Sequence, residues 1–554
     1  MKRRIAVIGA GASGLAAVKC CLDEGLEPMC FEQSDGLGGL WRFKEDPEDG
    51  RSSIYRSVII NSSKEMMCFS DFPIPDDFAN FMHNSKILDY FHLYARHFDL
   101  LRYIRFKTTV RRVKMRPDFA RSGQWEVVTA TSGGLEESAI FDGVMVCTGH
   151  HTYPHLPLQD FPGIETFQGE YFHSREYKGP EKFLGKRVVV IGIGNSGGDL
   201  AVELSRIADQ VFLSTRRGCW VLNRILDDGL PYDMLLLTRF ASLLKKILPL
   251  TFLNWMEEQK LNKRFDHKLY GLQAKHRLSS QHPTVNDELP NRIISGTVVV
   301  KPNIKELRGS SVIFEDGSVE EKIDVVIFAT GYNVSFPFLD SSVITVRHNQ
   351  VSLYKHVFPP ALEQPTLAFV GLVQAHGPLM VVSEMQARWV TRVFAGLGKL
   401  PKTKAMLKDI QRKKDELAKR FLPSQRHTFE EDFIYYMDEL AMQIGVRPSI
   451  PWLFLRDPRL ALTVFLGPCT PYQYRLMGPG KWAGARNAIF TQWERVIKPL
   501  QTRMLQEKPH RSAGALLLKV TTAAVLCVMV AYYVHWQRPA LLQKLVDKVG
   551  IHWQ

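Results

Sequence analysis

Two stretches of the sequence place three glycines at a spacing that serves chemistry by leaving room. Residues 5–14 read Ile-Ala-Val-Ile-Gly-Ala-Gly-Ala-Ser-Gly, and residues 188–197 read Val-Val-Val-Ile-Gly-Ile-Gly-Asn-Ser-Gly. Each is an apolar run entering Gly-x-Gly-x-x-Gly ahead of a helix-compatible stretch, which is the strand, turn and helix context of a dinucleotide cradle. The first glycine permits a tight turn, the second lets a pyrophosphate approach the backbone, and the third lets the helix pack closely on the strand. The helix end then presents unpaired N–H groups to phosphate. Gly9, Ala10, Gly11, Ala12, Ser13 and Gly14 form one candidate cradle; Gly192, Gly194, Asn195, Ser196, Gly197 and Gly198 form the other.

The residues at the end of the next strand distinguish the two ligands. The next apolar run after the first turn ends in Glu32, 18 residues beyond Gly14, where a carboxylate accepts hydrogen bonds from a ribose and disfavours a 2′-phosphate. The run after the second turn, Gln210–Ser214, ends in Thr215-Arg216-Arg217. Arg216 lies 24 residues after Gly192, against 23 between Gly9 and Glu32, so equivalent positions carry opposite charge. A guanidinium there matches a 2′-phosphate. The first site reads as FAD and the second as NADPH, with Thr215 and Arg216 at the nucleotide phosphate.

The elements that must hold these turns are two parallel α/β units. Residues 141–149 and 323–332 each carry a short polar lead, a buried strand and Thr-Gly, and each returns the chain past a nucleotide. The expected fold is α/β, with two Rossmann-like dinucleotide-binding domains and the NADPH domain inserted in the FAD domain. The FAD domain takes residues 1–150 and 331–440, and the NADPH domain 151–330 with a helical insertion at about 225–290. Within that insertion, Met234–Trp255 is leucine-rich and broken by Pro249. It reads as a core helix, a substrate-tunnel wall or a lipid-facing amphipathic helix.

Composition bounds the rest. The chain has 554 residues, 45% of them apolar, and a formal charge of +14, which suits nucleic acid, an anionic membrane surface or a polyanionic cofactor. No nucleic-acid partner is expected. Eight cysteines show no CxxC pair, which argues against a disulfide framework, a zinc site or a dithiol reductase; no metal is expected. The basic start, Met1-Lys2-Arg3-Arg4, resembles a signal peptide, yet the glycines behind it belong to a turn. Residues 441–510, with Pro-Trp-Leu-Phe-Leu at 451–455, read as a membrane-associated region. Ala513–Trp536 contains one charge, Lys519, and approaches the ~20 residues that span a bilayer. Lys498, Arg503, Lys508 and Arg511 precede it, so the positive-inside rule keeps the large body cytosolic.

Phe167, Gly169, His173 and Tyr177 form FxGxxxHxxxY between the two cradles. With Gly38-Gly39-Leu40-Trp41, Ala329-Thr330-Gly331-Tyr332 and the apolar tail, the chain resembles the flavin-containing monooxygenases, a microsomal family, and through stretches such as Asn61-Ser62-Ser63-Lys64-Glu65-Met66-Met67-Cys68-Phe69 and Ser280-Gln281-His282-Pro283-Thr284 it is most similar to the vertebrate form-five branch. The resemblance implies FAD contacts at Gly39, Leu40, Trp41, Asn61 and Ser62, and NADP contacts at Ile60 and Asn61. It implies that Asn61 is catalytic, steadying a 4a-hydroperoxyflavin that oxygenates lipophilic amines and thioethers and, by Baeyer–Villiger insertion, ketones, with molecular oxygen as co-substrate. It also implies residence in the endoplasmic reticulum membrane; a homo-oligomer is left open. His173 and Tyr177 are read as shaping the interdomain linker. The competing readings are a dedicated N-hydroxylase or Baeyer–Villiger enzyme, a membrane FAD/NAD(P)H reductase or NADPH oxidase, and a non-catalytic flavin redox sensor.

Overall fold

The computed structural model describes residues 2–226, 228–421 and 428–503. The chain divides into a body, Met1–Leu500, which holds both α/β units, and a C-terminal segment, Gln501–Gln554. The expected transmembrane tail at 513–536 lies outside the described residues, as does the end of the 441–510 region. No helix among the described residues is long and apolar enough to cross a membrane.

The body is organised on two five-stranded parallel sheets. In the first, the strand order is Leu367–Phe369, Gly143–Val146, Arg4–Ile8, Glu27–Phe31 and Ile104–Arg105. In the second it is Val298–Lys301, Gln210–Ser214, Arg187–Ile191, Val325–Phe328 and Glu170–His173. The strands of the second sheet all lie in sequence between two stretches that supply the first. Each glycine turn leaves the central strand of its sheet.

Past their leading arginines, Arg4 and Arg187, those central strands are apolar because both of their faces are covered. Side chains alternate across a strand. Ile5 and Val7 enter one core, while Ala6 and Ile8 enter another. In the second sheet Val188 and Val190 face one core, and Val189 and Ile191 the other. Each unit also carries a three-stranded antiparallel sheet, Thr108–Met115 with Trp125–Thr131 and Glu136–Phe141, and Ile304–Arg308 with Ser311–Phe314 and Val319–Glu320.

Between strands Gln210–Ser214 and Val298–Lys301 the chain makes a helical excursion, Tyr232–Leu236, Arg239–Ile247 and Leu250–Arg264. Pro249, which cannot donate an N–H inside a helix, stands at the N-cap of the third, so the leucine-rich run is several helices and not one. Residues 403–420 form a mostly exposed charged helix, and Ile450–Arg456 and Pro458–Leu466 form two short apolar ones. All seven described cysteines are buried free thiols.

Candidate active site

The two glycine turns share one local geometry. Gly9 and Gly192 both adopt φ of 101°, which favours glycine. A Cβ on Gly9 would lie 2.8 Å from the Cys147 carbonyl oxygen, and one on Gly192 would lie 2.6 Å from that of Ala329. Each turn is therefore pressed against the end of the neighbouring strand. The third glycine closes the unit: a Cβ on Gly14 would stand 1.8 Å from the Gly9 carbonyl oxygen, and one on Gly197 would stand 1.9 Å from that of Gly192. The helices Ala12–Asp23 and Asn195–Leu204 have glycine N-caps and no side-chain capping bond, so their first N–H groups remain available to an anion.

The surroundings of the turns differ. A cavity of about 1420 Å³ opens on the first, larger than the roughly 300–1,000 Å³ of one small-molecule pocket. Gly9, Gly11, Ala12, Ser13, Glu32, Gly39, Leu40, Trp41, Ile60, Asn61 and Ser62 line it. Ala10 and Gly14 stand back. Ala10 donates its N–H to Glu32 Oε2 at 2.8 Å, and Gly14 serves the helix contact. The Glu32 carboxylate also accepts from the N–H and hydroxyl of Ser34, at 2.9 and 2.8 Å. Gly39 crosses directly over Gly11, where a Cβ on Gly39 would lie 2.9 Å from the Gly11 Cα. Gly11 thus makes room for protein backbone as well as for a ligand.

Of the residues read for the second nucleotide beyond Ile60 and Asn61, only Asn195 lines this cavity. Its Oδ1 accepts the Val285 N–H at 2.8 Å. Gly192 and Gly194 are half-buried, Gly197 and Gly198 are buried, and Ser196 is exposed. Thr215 is half-buried, with its hydroxyl oxygen accepting the Gly218 N–H at 3.1 Å, and Arg216 is exposed at the outer end of its strand.

Asn61 is half-buried on the cavity wall, and its Oδ1 is secluded without a hydrogen-bond partner. An orphaned amide oxygen of this kind costs free energy unless a ligand meets it. Two residues on, Ser63 stands at the N-cap position of the short helix Lys64–Met67, without a side-chain capping bond, and donates its N–H to Asp233 Oδ2 at 2.7 Å. Asp233 comes from the helical excursion, also lines the cavity, and has its carboxyl pushed up to about 6 by burial. The excursion therefore braces the loop that carries Asn61.

Several lining residues were not found by sequence reasoning. Arg51 reaches the carbonyl oxygens of Gly39 and Arg42, at 3.1 and 2.9 Å, and so fixes the segment that covers the first turn. The helix Leu379–Phe394 begins at the cavity after Pro378, adding the positive end of a helix dipole. A proline ahead of a long apolar run was its available signal; Arg51 and Asp233 had none.

His173 and Tyr177 lie outside the cavity lining. The His173 Nε2 meets the Gly331 carbonyl oxygen at 2.9 Å, and burial brings its pKa down to about 4, which leaves a neutral ring. Gly169 is needed because a Cβ there would stand 2.5 Å from the Asp324 carbonyl oxygen. The FxGxxxHxxxY segment thus fastens an edge strand to the returning Ala329–Tyr332 segment.

A phosphate-ready helix end, a large cavity and an unpartnered amide fit a flavin dinucleotide, and relationships to known proteins agree. Residues 2–535 match the flavin-binding monooxygenase-like family. Flavin-containing monooxygenase 5 of Oryctolagus cuniculus is 60% identical over 96% of this chain and 99% of its own length. The Homo sapiens protein of that name is 58% identical, over 96% of this chain and all of its own length. Among solved structures, S-allyl-L-cysteine S-oxygenase from Allium sativum superposes with a TM-score of 0.62 at 27% identity, over 90% of this chain and 99% of its own. The open structure of cyclohexanone monooxygenase shares the fold, with a TM-score of 0.57 at 18% identity, over 80% of this chain and 97% of its own. The chain belongs to the flavin-binding monooxygenase-like family and is a flavin monooxygenase.

Proposed function

We propose that the enzyme uses NADPH and oxygen to oxygenate the soft nitrogen and sulfur atoms of lipophilic xenobiotics and to insert oxygen into ketones. Bound flavin supplies hydride acceptance and oxygen activation, chemistry that no side chain can perform. The first turn and the N-terminus of Ala12–Asp23 hold the FAD pyrophosphate, and Glu32 faces the ribose. The second turn holds the NADPH pyrophosphate, with Arg216 at the 2′-phosphate. Ile60, Asn61 and Ser62 stand between the two nucleotides. The Asn61 amide hydrogen-bonds the reacting centre without titrating, and apolar side chains of the excursion, Leu236, Leu244 and Leu253, keep water from that end of the cavity.

The observation that carries this reading is the unpartnered Asn61 amide oxygen beside the first turn, in a cavity of about 1420 Å³. The test supplies NADPH and 18O-labelled oxygen to flavin-loaded protein with a thioether or a ketone. The expected outcome is one labelled oxygen in a sulfoxide and in an ester. NADPH consumption with label in neither product defeats the reading and favours an oxidase.

We further propose that the body lies on the cytosolic face of the endoplasmic reticulum membrane, anchored through 513–536. Support comes from the apolar run with its basic flank, and from apolar side chains left in solvent on the helices Ile450–Arg456 and Leu250–Arg264: Leu455 is 86% exposed, Trp255 55% and Phe454 51%. Chain ending at residue 512 should move largely to the soluble fraction; full retention in the membrane pellet would contradict the anchor.

A further inference from the structure

Two histidines of the cavity wall meet a buried carboxylate that stands outside the lining. His282 lies in the segment just before strand Thr284–Val285, which braces the second glycine turn. His376 follows strand Gln374–Ala375, and Glu430 begins the strand that pairs with it in parallel, Gln374 opposite Glu430. The chain thus brings two imidazoles and one carboxylate together from three distant segments.

Their geometry is that of a ligand set. The His376 Nε2 lies 2.9 Å from Glu430 Oε2, the His282 Nδ1 lies 3.7 Å from the same oxygen, and one ligand atom from each residue falls within 4.8 Å of the others. The rings are 4.8 Å apart and edge-to-face. Tetrahedral zinc with bonds near 2.1 Å separates its ligand atoms by about 3.4 Å, so the set closes with a movement of about 1 Å by the half-exposed His282 ring. The His282 Nδ1 is secluded and has no hydrogen-bond partner, and a carboxylate at 3.7 Å is too far to be one. Glu430 is buried, and among the described residues its carboxylate pairs with the two imidazoles, while the neighbouring Arg420 and Asp432 pair with each other at 2.6 Å. Both histidines line the cavity, which leaves a fourth position open to water or a ligand.

We propose that His282, His376 and Glu430 form a binding site for a divalent transition metal, of which zinc is the chemical type. Two imidazoles and one carboxylate suit a borderline cation, and the absence of sulfur excludes a thiolate site. Bound metal ties the brace of the second turn to the strands under His376, so it regulates access to the cavity and takes no part in oxygen chemistry.

The experiment uses full-length, flavin-loaded protein freed of metal by a chelator and then dialysed against low-micromolar zinc. The expected result is one zinc per chain, an X-ray absorption spectrum with two imidazoles and no sulfur, and a rise in Tm. His282→Gln and His376→Gln each weaken binding by at least about tenfold, as loss of a ligand or its support does. The His282 side chain is half-exposed, so H282Q separates ligand loss from misfolding. Zinc also slows wild-type turnover more than that of H282Q. Failure to bind stoichiometric zinc, binding by both variants equal to that of wild type, or sulfur in the metal's shell would each overturn the proposal.

Discussion

The two nucleotide turns are nearly the same object placed in different surroundings. Both have a first glycine at φ of 101°, and both have a third glycine with no space for a methyl group. Around the first, Gly39 closes over Gly11, Glu32 is only 6% exposed, and Arg51 fastens the cover. The second ends in an exposed Arg216 and touches the common cavity through Asn195. The glycines therefore build the same phosphate-ready turn twice, and the surroundings set the two apart. Under the proposed assignment, the covered cradle retains its flavin through many turnovers, while the open one lets a reductant exchange.

The largest effects should come from the third glycines, and they should break the symmetry of the two sites. Gly14→Ala places a methyl group on the Gly9 carbonyl, so the purified protein should be colourless or insoluble, as flavin absorbance per chain reports. Gly197→Ala creates the same clash in the second unit. Any folded fraction should retain yellow flavin while losing NADPH binding. Loss of flavin equally from both variants would remove the distinction between the sites.

Next in size is Asn61→Ala. Loss of one oriented hydrogen bond at a reacting centre costs about 100-fold in oxygenated product. Flavin reduction by NADPH should change only a few-fold, and stopped-flow reduction measured beside product yield separates the two steps. Arg216→Ala should raise the KM for NADPH by about tenfold or more, leave NADH turnover unchanged and keep the flavin bound, because a charged hydrogen-bond partner is worth roughly 1.5–3 kcal/mol. An unaltered NADPH-to-NADH preference would take the 2′-phosphate away from Arg216.

The smallest effect concerns Asp233, which joins the two units at the Asn61 loop. Burial raises its folded carboxyl from an ordinary 3.8 to about 6, so the folded protein holds that proton more tightly than the unfolded chain. The associated stability is fully present below pH 3.8 and is lost as pH rises through about 6. Asp233→Asn keeps an acceptor for the Ser63 N–H and carries no charge. The Tm difference between variant and wild type should therefore grow by on the order of a few degrees between about pH 4.5 and 7. Parallel Tm curves would show that Asp233 does not titrate in this window.

Much of this comparison was legible in the sequence because it is local. A strand, three glycines and a helix occupy consecutive residues, and the acid or base proposed to read the ribose stands at the end of the next strand. Asn61 was reached through family resemblance, since a loop asparagine has no local signature. Arg51, Asp233 and the His282, His376 and Glu430 cluster were not found, because each acts on a partner that only the tertiary fold brings near. The His173 motif shows the converse. Its pattern is conspicuous in sequence, yet its atoms fasten strands and do not reach the cavity.

The central claim is that one enclosed flavin is reduced from an open NADPH site and then used to transfer oxygen. Rapid mixing of NADPH-reduced protein with oxygen, in the absence of an organic substrate, tests it most directly. The account predicts that oxidised-flavin absorbance returns slowly while NADP⁺ stays bound, and that an added thioether hastens the return and yields sulfoxide in equal amount. Immediate return of oxidised flavin, unaffected by the thioether and accompanied only by hydrogen peroxide, would contradict it.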